Sequence, residues 1–232
     1  MEQKYKMINA VVAFIDVLGS SEAIEEDEVA SLNAIHIAYD KALAEFKRRS
    51  TKTLIEPKVN IFSDNIALSV EIVENEEEKA FLSIISFSAM LQMYMWTNGF
   101  LVRGGISYGT FFVDEIMIWG KTLLRTHKFE ESVSIYPRII IEPKIAEVLR
   151  PVFKSKRINI INKDFDGMFF IDPFGLETKT KEVYLNLLEY FINDNLVRLE
   201  KYQNNIKIYQ KICWLQQYFE EKYDKLINDK EQ

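Results

Sequence analysis

Residues 7–15 read MINAVVAFI, a dense apolar run that is rich in Val and Ile. Such a run is typical of a strand that is buried on both faces of a sheet. The run stops at Asp16, and the turn-forming sequence LGSS follows at residues 18–21. This stretch therefore predicts a central strand that ends at Asp16.

Helix and strand signals alternate after this first strand. The predicted elements are an amphipathic helix with apolar residues at steps of three and four (Val29, Leu32, Ile35, Tyr39, Leu43 and Phe46), strands over 58–63 and 65–72, a helix from a cap at Asn75 to about Thr97, and a strand over 100–107. This order is that of the ferredoxin-like split βαβ arrangement. The sequence therefore predicts an α+β fold in which helices pack on an antiparallel sheet.

The second half of the chain predicts further elements and a helical end. These are a hairpin-like stretch over 111–118, a helix over 120–132, a strand over 137–141, a helix over 143–150, strands over 157–162 and 167–172, and helices from about residue 180 onward. We expect one domain over residues 1–175. A C-terminal helical extension over 176–232 is expected to pack on this domain or to dimerise it.

The composition is that of a globular protein with a sizeable core. Of its 232 residues, 48% are hydrophobic, and the formal net charge is −6. A general nucleic-acid binder normally has a basic face, and this acidic chain shows no clustering of Lys and Arg. The single cysteine, Cys213, cannot form an internal disulfide. We therefore expect a cytoplasmic protein that does not bind nucleic acid.

One stretch raises the question of a membrane span. Residues 80–102 carry no charge and are long enough to cross a bilayer. They contain several polar residues, and the pair Asn98-Gly99 is typical of a helix end. The amino terminus lacks a signal-peptide layout, because its apolar run ends on Asp16. We expect a buried helix followed by a strand, without membrane insertion.

Asp16 and Asp64 are the candidate metal ligands. In the ferredoxin-like fold the first strand lies antiparallel beside the third. Asp16 ends the first predicted strand and Asp64 opens the third, so the two carboxylates should lie side by side. Such a pair suits two Mg²⁺ or Mn²⁺ ions that bridge a triphosphate. Asp is also common in turns, so a turn role for both residues is the alternative.

The turn after Asp16 leads into a helix, and its backbone is a candidate phosphate site. Its N–H groups, at Val17, Leu18, Gly19 and Ser20, could hold phosphate oxygens. The two histidines suggest no zinc site, because neither has a second histidine at metal spacing. His36 falls on the apolar stripe of the first helix, which predicts a core or interface histidine.

Four segments resemble the motifs of class III nucleotidyl cyclases, in the order of that family. Residues 14–19 (FIDVLG) are similar to the first metal motif, and residues 62–64 (FSD) to the second. Residues 101–109 (LVRGGISYG) resemble the strand and turn with the pattern Arg-x-Gly-Ile-x-x-Gly. Trp119-Gly120, with the helix that follows, looks like the segment that carries the transition-state residue. The resemblance implies the palm-type class III cyclase fold.

A wider pattern resembles the pyrimidine cyclases of Pycsar antiphage systems. It consists of RGGI at residues 103–106, YPRII at 136–140, Asp166-Gly167 with Asp172, and Trp214-Leu215. Those proteins are similar in length and have a comparable helical C-terminal segment. This second resemblance implies a substrate such as UTP or CTP rather than a purine nucleotide.

The resemblance carries over to single positions unevenly. Asp16, Asp64 and the backbone of Val17 match the metal ligands. Asn60 stands where purine cyclases carry Lys or Glu to select the base, and Asn can both donate and accept a hydrogen bond. Asp114 is a further candidate for base contact.

Other positions depart from the family pattern. Met117 stands where adenylate cyclases have an Asp that reads the base, Leu124 replaces the transition-state Asn, and Lys128 replaces the Arg of the same helix. Lys128 still supplies positive charge to the leaving phosphates, but without a planar fork. Lys163 lies near the position of a phosphate-binding Lys. For Arg103, a role in ordering the turn or the dimer interface is more plausible than substrate contact.

The resemblance implies an enzyme that converts a nucleoside triphosphate, UTP first, into its 3′,5′-cyclic monophosphate and pyrophosphate. It implies a homodimer with two equivalent sites, the metals held by one protomer and the transition-state helix supplied by the other. The product would be an antiphage signal that a separate effector protein reads. Two alternatives stay open: a non-catalytic nucleotide- or partner-binding dimer, and a palm-type polymerase that makes oligonucleotides.

Overall fold

The computed structural model describes residues 5–50, 53–156, 159–176 and 179–228, and their side chains except those of 153–156. The described chain forms two compact units. The first unit takes residues up to 134 together with 138–176. The second takes residues 135–137 together with those from 177 on.

The first unit alternates strands and helices. In chain order its elements are β1 (Ile8–Leu18), α1 (Ser20–Arg49), β2 (Lys58–Phe62), β3 (Asn65–Glu71), α2 (Glu77–Thr97), β4 (Leu101–Val113), β5 (Ile118–Trp119), α3 (Lys121–Val133), β6 (Ile139–Ile141), α4 (Pro143–Lys156), β7 (Ile161–Lys163) and β8 (Phe169–Ile171). A short 3₁₀ helix, Pro173–Leu176, closes the unit. The first six elements have the predicted ferredoxin-like order.

The strands form one mixed sheet with the order β2-β3-β1-β4-β6-β8-β7, and β5 pairs with β4 beside it. β1 lies antiparallel between β3 and β4, and β4 pairs in parallel with β6. The other strand pairs are antiparallel. The α+β prediction with a mostly antiparallel sheet is therefore confirmed.

β1 is buried on both faces because its side chains alternate between two clusters. Val11, Ala13 and Ile15 belong to the main core, which also contains residues of α1 and α2. Ala10 and Val12 belong to a smaller cluster together with Phe111. The alternation places Asp16 on the same side of the sheet as Ala10 and Val12.

α2 is the helix that raised the question of a membrane span. It is long and apolar enough to pass that test by length and composition, but 78% of its most apolar window is buried inside the fold. β4 follows it. The prediction of a buried helix followed by a strand is confirmed.

The start of the chain departs from the prediction at two points. β1 does not end at Asp16 but continues to Leu18, because β4 pairs with it as far as Leu101. α1 begins at Ser20, directly after Gly19, whose left-handed φ of 76° turns the chain from strand to helix.

The exposed side of α1 also differs from the predicted apolar stripe. Val29 and Leu32 are 66% and 55% exposed, and His36 is exposed, so His36 is not a core histidine. The side chains that α1 does bury are Ser20, Ser31, Ala38, Ala42 and Phe46. Ile35, Tyr39, Leu43 and Phe46 of the predicted stripe pack in or against the main core. The predicted face is therefore correct in the second half of α1 and wrong at Val29 and Leu32.

Other boundaries differ by a few residues. Asn75 does not cap α2, because it adopts a left-handed φ of 64° and the cap position is Glu76. β4 runs on to Val113 before it pairs with β5, which forms the predicted hairpin. α4 continues through Pro151 to Lys156. Residues 157 and 158, the start of a predicted strand, lie outside the described residues.

The second unit contains two helices, α5 (Lys181–Lys201) and α6 (Ile206–Asn228). The buried amide of Asn195 on α5 donates to the carbonyl of Ile212 and to Oε1 of Gln216 on α6, over 3.0 Å each. Tyr136 stacks on Trp214, with ring centroids 5.6 Å apart. These contacts hold the helices and residues 135–137 together as one body.

Candidate active site

The sheet register brings Asp16 and Asp64 together. Asp16 on β1 lies opposite Asn65, the first residue of β3, and Asp64 precedes Asn65 in the chain. The backbone N–H of Val17 donates to the carbonyl oxygen of Asp64 over 2.9 Å. Asp16 on β1 therefore lies beside the turn that carries Asp64, and a backbone hydrogen bond joins Asp64 to Val17, the residue after Asp16.

The carboxylate of Asp64 is tied to the start of α1. The hydroxyl of Ser20 donates to Asp64 Oδ2 over 2.8 Å, and the amide of Asn65 donates to Oδ1 over 3.0 Å. Ser63 beside it adopts a left-handed φ of 54° at the tip of the β2–β3 hairpin. Gly19 and Ser20, two candidate phosphate-binding residues, thus lie next to Asp64.

Asp16 is paired with an arginine on the other neighbouring strand. The sheet register places Arg103 on β4 opposite Asp16, and Arg103 Nε donates to Asp16 Oδ2 over 2.9 Å. Asp16 Oδ1 accepts no hydrogen bond from the described part of the chain. The pair is half-buried, with 18% of the Asp16 side chain and 22% of the Arg103 side chain exposed.

A second carboxylate lies at the same arginine. Glu130 Oε1 on α3 is also 2.9 Å from Arg103 Nε, but it is buried and accepts no hydrogen bond in the described structure. The single Nε–H of Arg103 points to Asp16 instead. Glu130 is 3% exposed, so an acceptor without a donor is costly there.

A close approach between α3 and β4 brings Glu130 to Arg103. A Cβ atom added at Gly105 would lie 3.1 Å from the carbonyl oxygen of Thr126, so only glycine leaves this space open. Thr122, Thr126 and Glu130 are the buried residues of α3, one turn apart from each other. The polar stripe on an otherwise exposed helix is the sequence signal for Glu130, which the motif comparison missed.

Burial raises the pKa of Glu130 above its usual value. The positive charge of Arg103 opposes this rise, while the negative charge of Asp16 adds to it. The carboxylates of Asp16 and Glu130 thus lie at one guanidinium, while Asp64 lies in the turn before β3, on the other side of β1. The local charge is negative, which favours a cation in this region.

Lys128 and Leu124 on α3 face outward. Lys128 is two residues from Glu130 and so lies on roughly the opposite side of the helix. It is exposed and forms no hydrogen bond or ion pair with the described residues. Leu124, one turn before it, is 58% exposed. His127 packs against Phe14, with ring centroids 4.8 Å apart.

Two other candidate residues share a separate groove of ≈ 900 Å³. Asn60 on β2 and Asp114 after β4 both line it. The Asp114 carboxylate accepts the backbone N–H groups of Met117 and Ile116, over 2.8 Å each, and these bonds lower its pKa. Asp114 therefore closes the β4–β5 hairpin, and only Asn60 has a free side chain in this pair.

Lys163 lies far from the aspartates within this protomer. It is on β7, at the edge of the sheet, and β4, β6 and β8 separate β7 from β1. Its ammonium group lies 5.7 Å from the centre of the Phe169 ring. Neither Lys163 nor Lys128 reaches the Asp16 and Asp64 carboxylates of the same chain in this arrangement.

The oxygen atoms at the two aspartates are suitable ligands for a hard divalent cation. Carboxylate oxygens of Asp16 and Asp64 and the backbone carbonyl of Val17 are of the type that Mg²⁺ and Mn²⁺ prefer. Asp16 Oδ1 is not used by a protein donor in the described structure. Among the described residues, no group of three or more His, Cys, Asp or Glu side chains has metal-binding geometry. The site therefore relies on two carboxylates.

Comparison with known proteins identifies the fold. No protein-family model matches the sequence, and no curated protein matches it. A solved structure of the monomeric guanylyl cyclase domain of the RhoGC fusion protein from the aquatic fungus Blastocladiella emersonii matches 73% of this chain and 98% of its own, with a TM-score of 0.53 and 14% identity. The chain has the class III nucleotidyl cyclase fold.

A second solved structure supports the same fold. The catalytic core of a rhodopsin-guanylyl cyclase with converted specificity, in complex with ATPαS, matches 73% of this chain and 98% of its own. Its TM-score is 0.51 and its sequence identity 13%. The low identity means that these likenesses establish the cyclase fold and leave the substrate to the residues of this chain.

Proposed function

We propose that the protein is a metal-dependent nucleotidyl cyclase that converts UTP into 3′,5′-cyclic UMP and pyrophosphate. The observation that carries the proposal is the adjacency of Asp16 and Asp64 beside the start of α1, within a class III cyclase fold. A turn role does not account for Asp16, because Asp16 lies within β1 and not in a turn.

Asp16, Asp64 and the carbonyl of Val17 would hold two Mg²⁺ or Mn²⁺ ions. When bound, such ions lower the pKa of the ribose 3′-hydroxyl and neutralise the triphosphate. The backbone N–H groups from Leu18 to Ser20 would bind phosphate oxygens at the start of α1. Together these residues orient the α-phosphorus for in-line attack, so that charge stabilisation supplies most of the rate.

The site is completed by a second protomer in this proposal. Lys128 faces away from the aspartates of its own chain and is exposed. In a symmetric homodimer it would reach the partner's triphosphate and stabilise the charge on the departing pyrophosphate. Lys163, at the far edge of the sheet, would contribute to phosphate binding in the same way.

The proposed base specificity depends on the groove beside β2. Asn60 offers a donor and an acceptor, which match the polar edge of uracil or cytosine. Asp114 is held in its turn by two backbone hydrogen bonds, so it would shape the groove more than read the base. Met117 offers no hydrogen bond to the amino group of adenine.

The proposed cellular role is a second messenger in antiphage defence. It is supported by the sequence resemblance to Pycsar pyrimidine cyclases, with a cytoplasmic enzyme and a separate effector protein that binds the cyclic nucleotide. A fold alone does not define a pathway, so this role stands on that resemblance.

A non-catalytic nucleotide-binding dimer is the second candidate. Two observations favour it: Arg103 already neutralises Asp16, and Leu124 replaces a polar transition-state residue with an exposed apolar one. This candidate predicts nucleotide binding without turnover. It also predicts that Leu124→Asn raises the activity from an undetectable level.

The product of the reaction distinguishes these candidates. The purified protein is incubated with ATP, GTP, CTP or UTP in Mn²⁺, and products are identified by liquid chromatography and mass spectrometry. We expect cyclic UMP as the main product, at a higher rate than cyclic CMP. Cyclic AMP or cyclic GMP as the main product would overturn the base specificity, and linear oligonucleotides would indicate a polymerase.

A further inference from the structure

Arg103 forms ion pairs with two carboxylates but donates its Nε–H hydrogen bond to only one of them. Its Nε atom is 2.9 Å from Asp16 Oδ2 and 2.9 Å from Glu130 Oε1. The hydrogen bond goes to Asp16, and Glu130 Oε1 is left buried without a donor. Buried polar atoms in folded proteins nearly always have a partner, so an orphan acceptor beside a donor calls for a reason.

The surrounding structure holds Glu130 in this position. Gly105 leaves α3 close to β4, and Thr126 on the same face of α3 hydrogen-bonds Ser107 on β4. The hydroxyl of Thr122 donates to the carbonyl of Thr110 over 2.8 Å. α3 is thus fixed to β4 along its length, and Glu130 cannot turn to solvent without breaking this packing.

We propose that Arg103 is a displaceable counter-ion and that Glu130 is its second acceptor. In the metal-free protein Arg103 neutralises Asp16. When a divalent cation binds Asp16, Arg103 transfers its Nε–H hydrogen bond to Glu130 Oε1. This inference rests on the proposed metal site and assigns Glu130 as a positioning residue of that site.

The displacement explains the orphan acceptor. A cation at Asp16 and a guanidinium on the same carboxylate repel each other, and the repulsion is strong in a half-buried site. Glu130 gives Arg103 another partner at the distance of a direct hydrogen bond, so little side-chain movement is needed. Metal binding is thereby coupled to satisfaction of a buried carboxylate, which lowers the free energy of the metal-bound state.

The test measures the binding of Mn²⁺ alone to the full chain. Binding is monitored as the loss of the free-ion signal in electron paramagnetic resonance. The variants are Glu130→Gln and, as the matched control, Glu131→Gln, whose side chain is 68% exposed on the same helix. We expect Glu130→Gln to weaken Mn²⁺ binding on the order of 10-fold, the scale of lost outer-shell partners. Glu131→Gln should bind as the wild type does.

Arg103→Gln separates displacement from simple positioning and does not depend on how Glu130→Gln folds. If Arg103 is a counter-ion, its removal tightens Mn²⁺ binding, and Glu130→Gln then has a several-fold smaller effect in this background. If Arg103 instead holds Asp16 in place for the metal, Arg103→Gln weakens binding, and the proposal is overturned. Circular dichroism and thermal unfolding confirm that each variant is folded.

The proposal and the metal site on which it rests fail in different ways. Wild-type protein that binds no Mn²⁺, or that binds it equally well after Asp16→Asn, would refute the metal site and the displacement with it. Binding that depends on Asp16 but is equal in wild type and Glu130→Gln would refute only the displacement.

Discussion

Arg103 on β4 lies opposite Asp16 on β1, and its Nε donates to Asp16 Oδ2 over 2.9 Å. This pair links the strand register of the sheet to the charge at the proposed metal site. The strand register determines which residue of β4 lies opposite Asp16. That residue is an arginine, so a cation that binds Asp16 has to displace its guanidinium group.

The pH dependence of stability should report the burial of Glu130. Its pKa is raised above its ordinary value in the folded chain, chiefly by burial, so the fold favours the protonated group. This contribution to stability is present below the unfolded pKa and is lost as the pH rises through the folded pKa. Relative to Glu130→Gln, the wild type should therefore lose unfolding free energy as the pH rises above the ordinary Glu pKa of about 4.3.

Urea unfolding of both proteins between about pH 4 and 8 measures this difference in unfolding free energy. The range begins near the ordinary Glu pKa of about 4.3 and extends well above it. It should fall with pH and then level off. A difference that stays constant over this range would show that Glu130 titrates alike in the folded and unfolded chains.

The proposed sharing of the site between two protomers predicts complementation between inactive variants. Asp16→Asn and Lys128→Ala should each be inactive as homodimers, because each damages both sites. In a mixed dimer one site carries both substitutions and the other carries neither. Refolding an equal mixture should restore about a quarter of wild-type sites, since about half of random dimers are mixed.

Rates of cyclic UMP formation, measured before and after the protomers exchange, test this complementation. Mixing two separately folded homodimers without exchange is the control and should restore nothing. Activity that never exceeds that of the separate variants would place Lys128 and Asp16 in the same protomer's site, or Lys128 outside the site.

Asn60 should affect substrate binding more than turnover. Loss of one hydrogen bond to the base costs about 0.5–1.5 kcal/mol, so Asn60→Ala should raise the KM for UTP roughly 2- to 10-fold with little change in kcat. Steady-state kinetics with UTP and ATP measure the change in preference. Lys58→Ala, another residue of the same groove lining on β2, is the matched control. An unchanged KM for UTP in Asn60→Ala would remove Asn60 from the base site.

Gly104 should be required for the pairing of β1 and β4. A Cβ atom there would lie 2.7 Å from the carbonyl oxygen of Phe14, a backbone atom that cannot move aside cheaply. Gly104→Ala should therefore cost about 1–3 kcal/mol of unfolding free energy. Thr110→Ala, at an exposed position of the same strand, should cost less than about 0.5 kcal/mol. Equal losses in denaturant unfolding would contradict this account of Gly104.

The sequence was sufficient to predict the order of the first strands and helices and the proximity of Asp16 to Asp64. The apolar run before Asp16 and the short strands around Asp64 define a ferredoxin-like order, and that order alone brings strands one and three together. Helix ends were less predictable. Gly19 allows α1 to begin directly after β1, and this turn depends on a backbone conformation that the motif does not specify.

Side-chain contacts between different elements could not be predicted from the sequence patterns. The pairing of Arg103 with Asp16 depends on the register of β4, and the approach of Glu130 depends on the space above Gly105. Neither follows from periodicity along one element. The exposed position of His36 has the same origin, because small residues such as Ala38 and Ala42 decide which side of α1 is buried.

The central claim is that Asp16 and Asp64 form a catalytic metal site. The most direct test is the amount of cyclic UMP and pyrophosphate formed from UTP in Mn²⁺ by the wild type, by Asp16→Asn and by Asp64→Asn, with Asp40→Asn, an exposed position on α1, as control. The account predicts that both site variants lose activity on the order of 10³-fold or more while they keep the wild-type fold and dimer, and that Asp40→Asn stays active. Full activity in either folded site variant, or no cyclic product from the wild-type dimer, would contradict it.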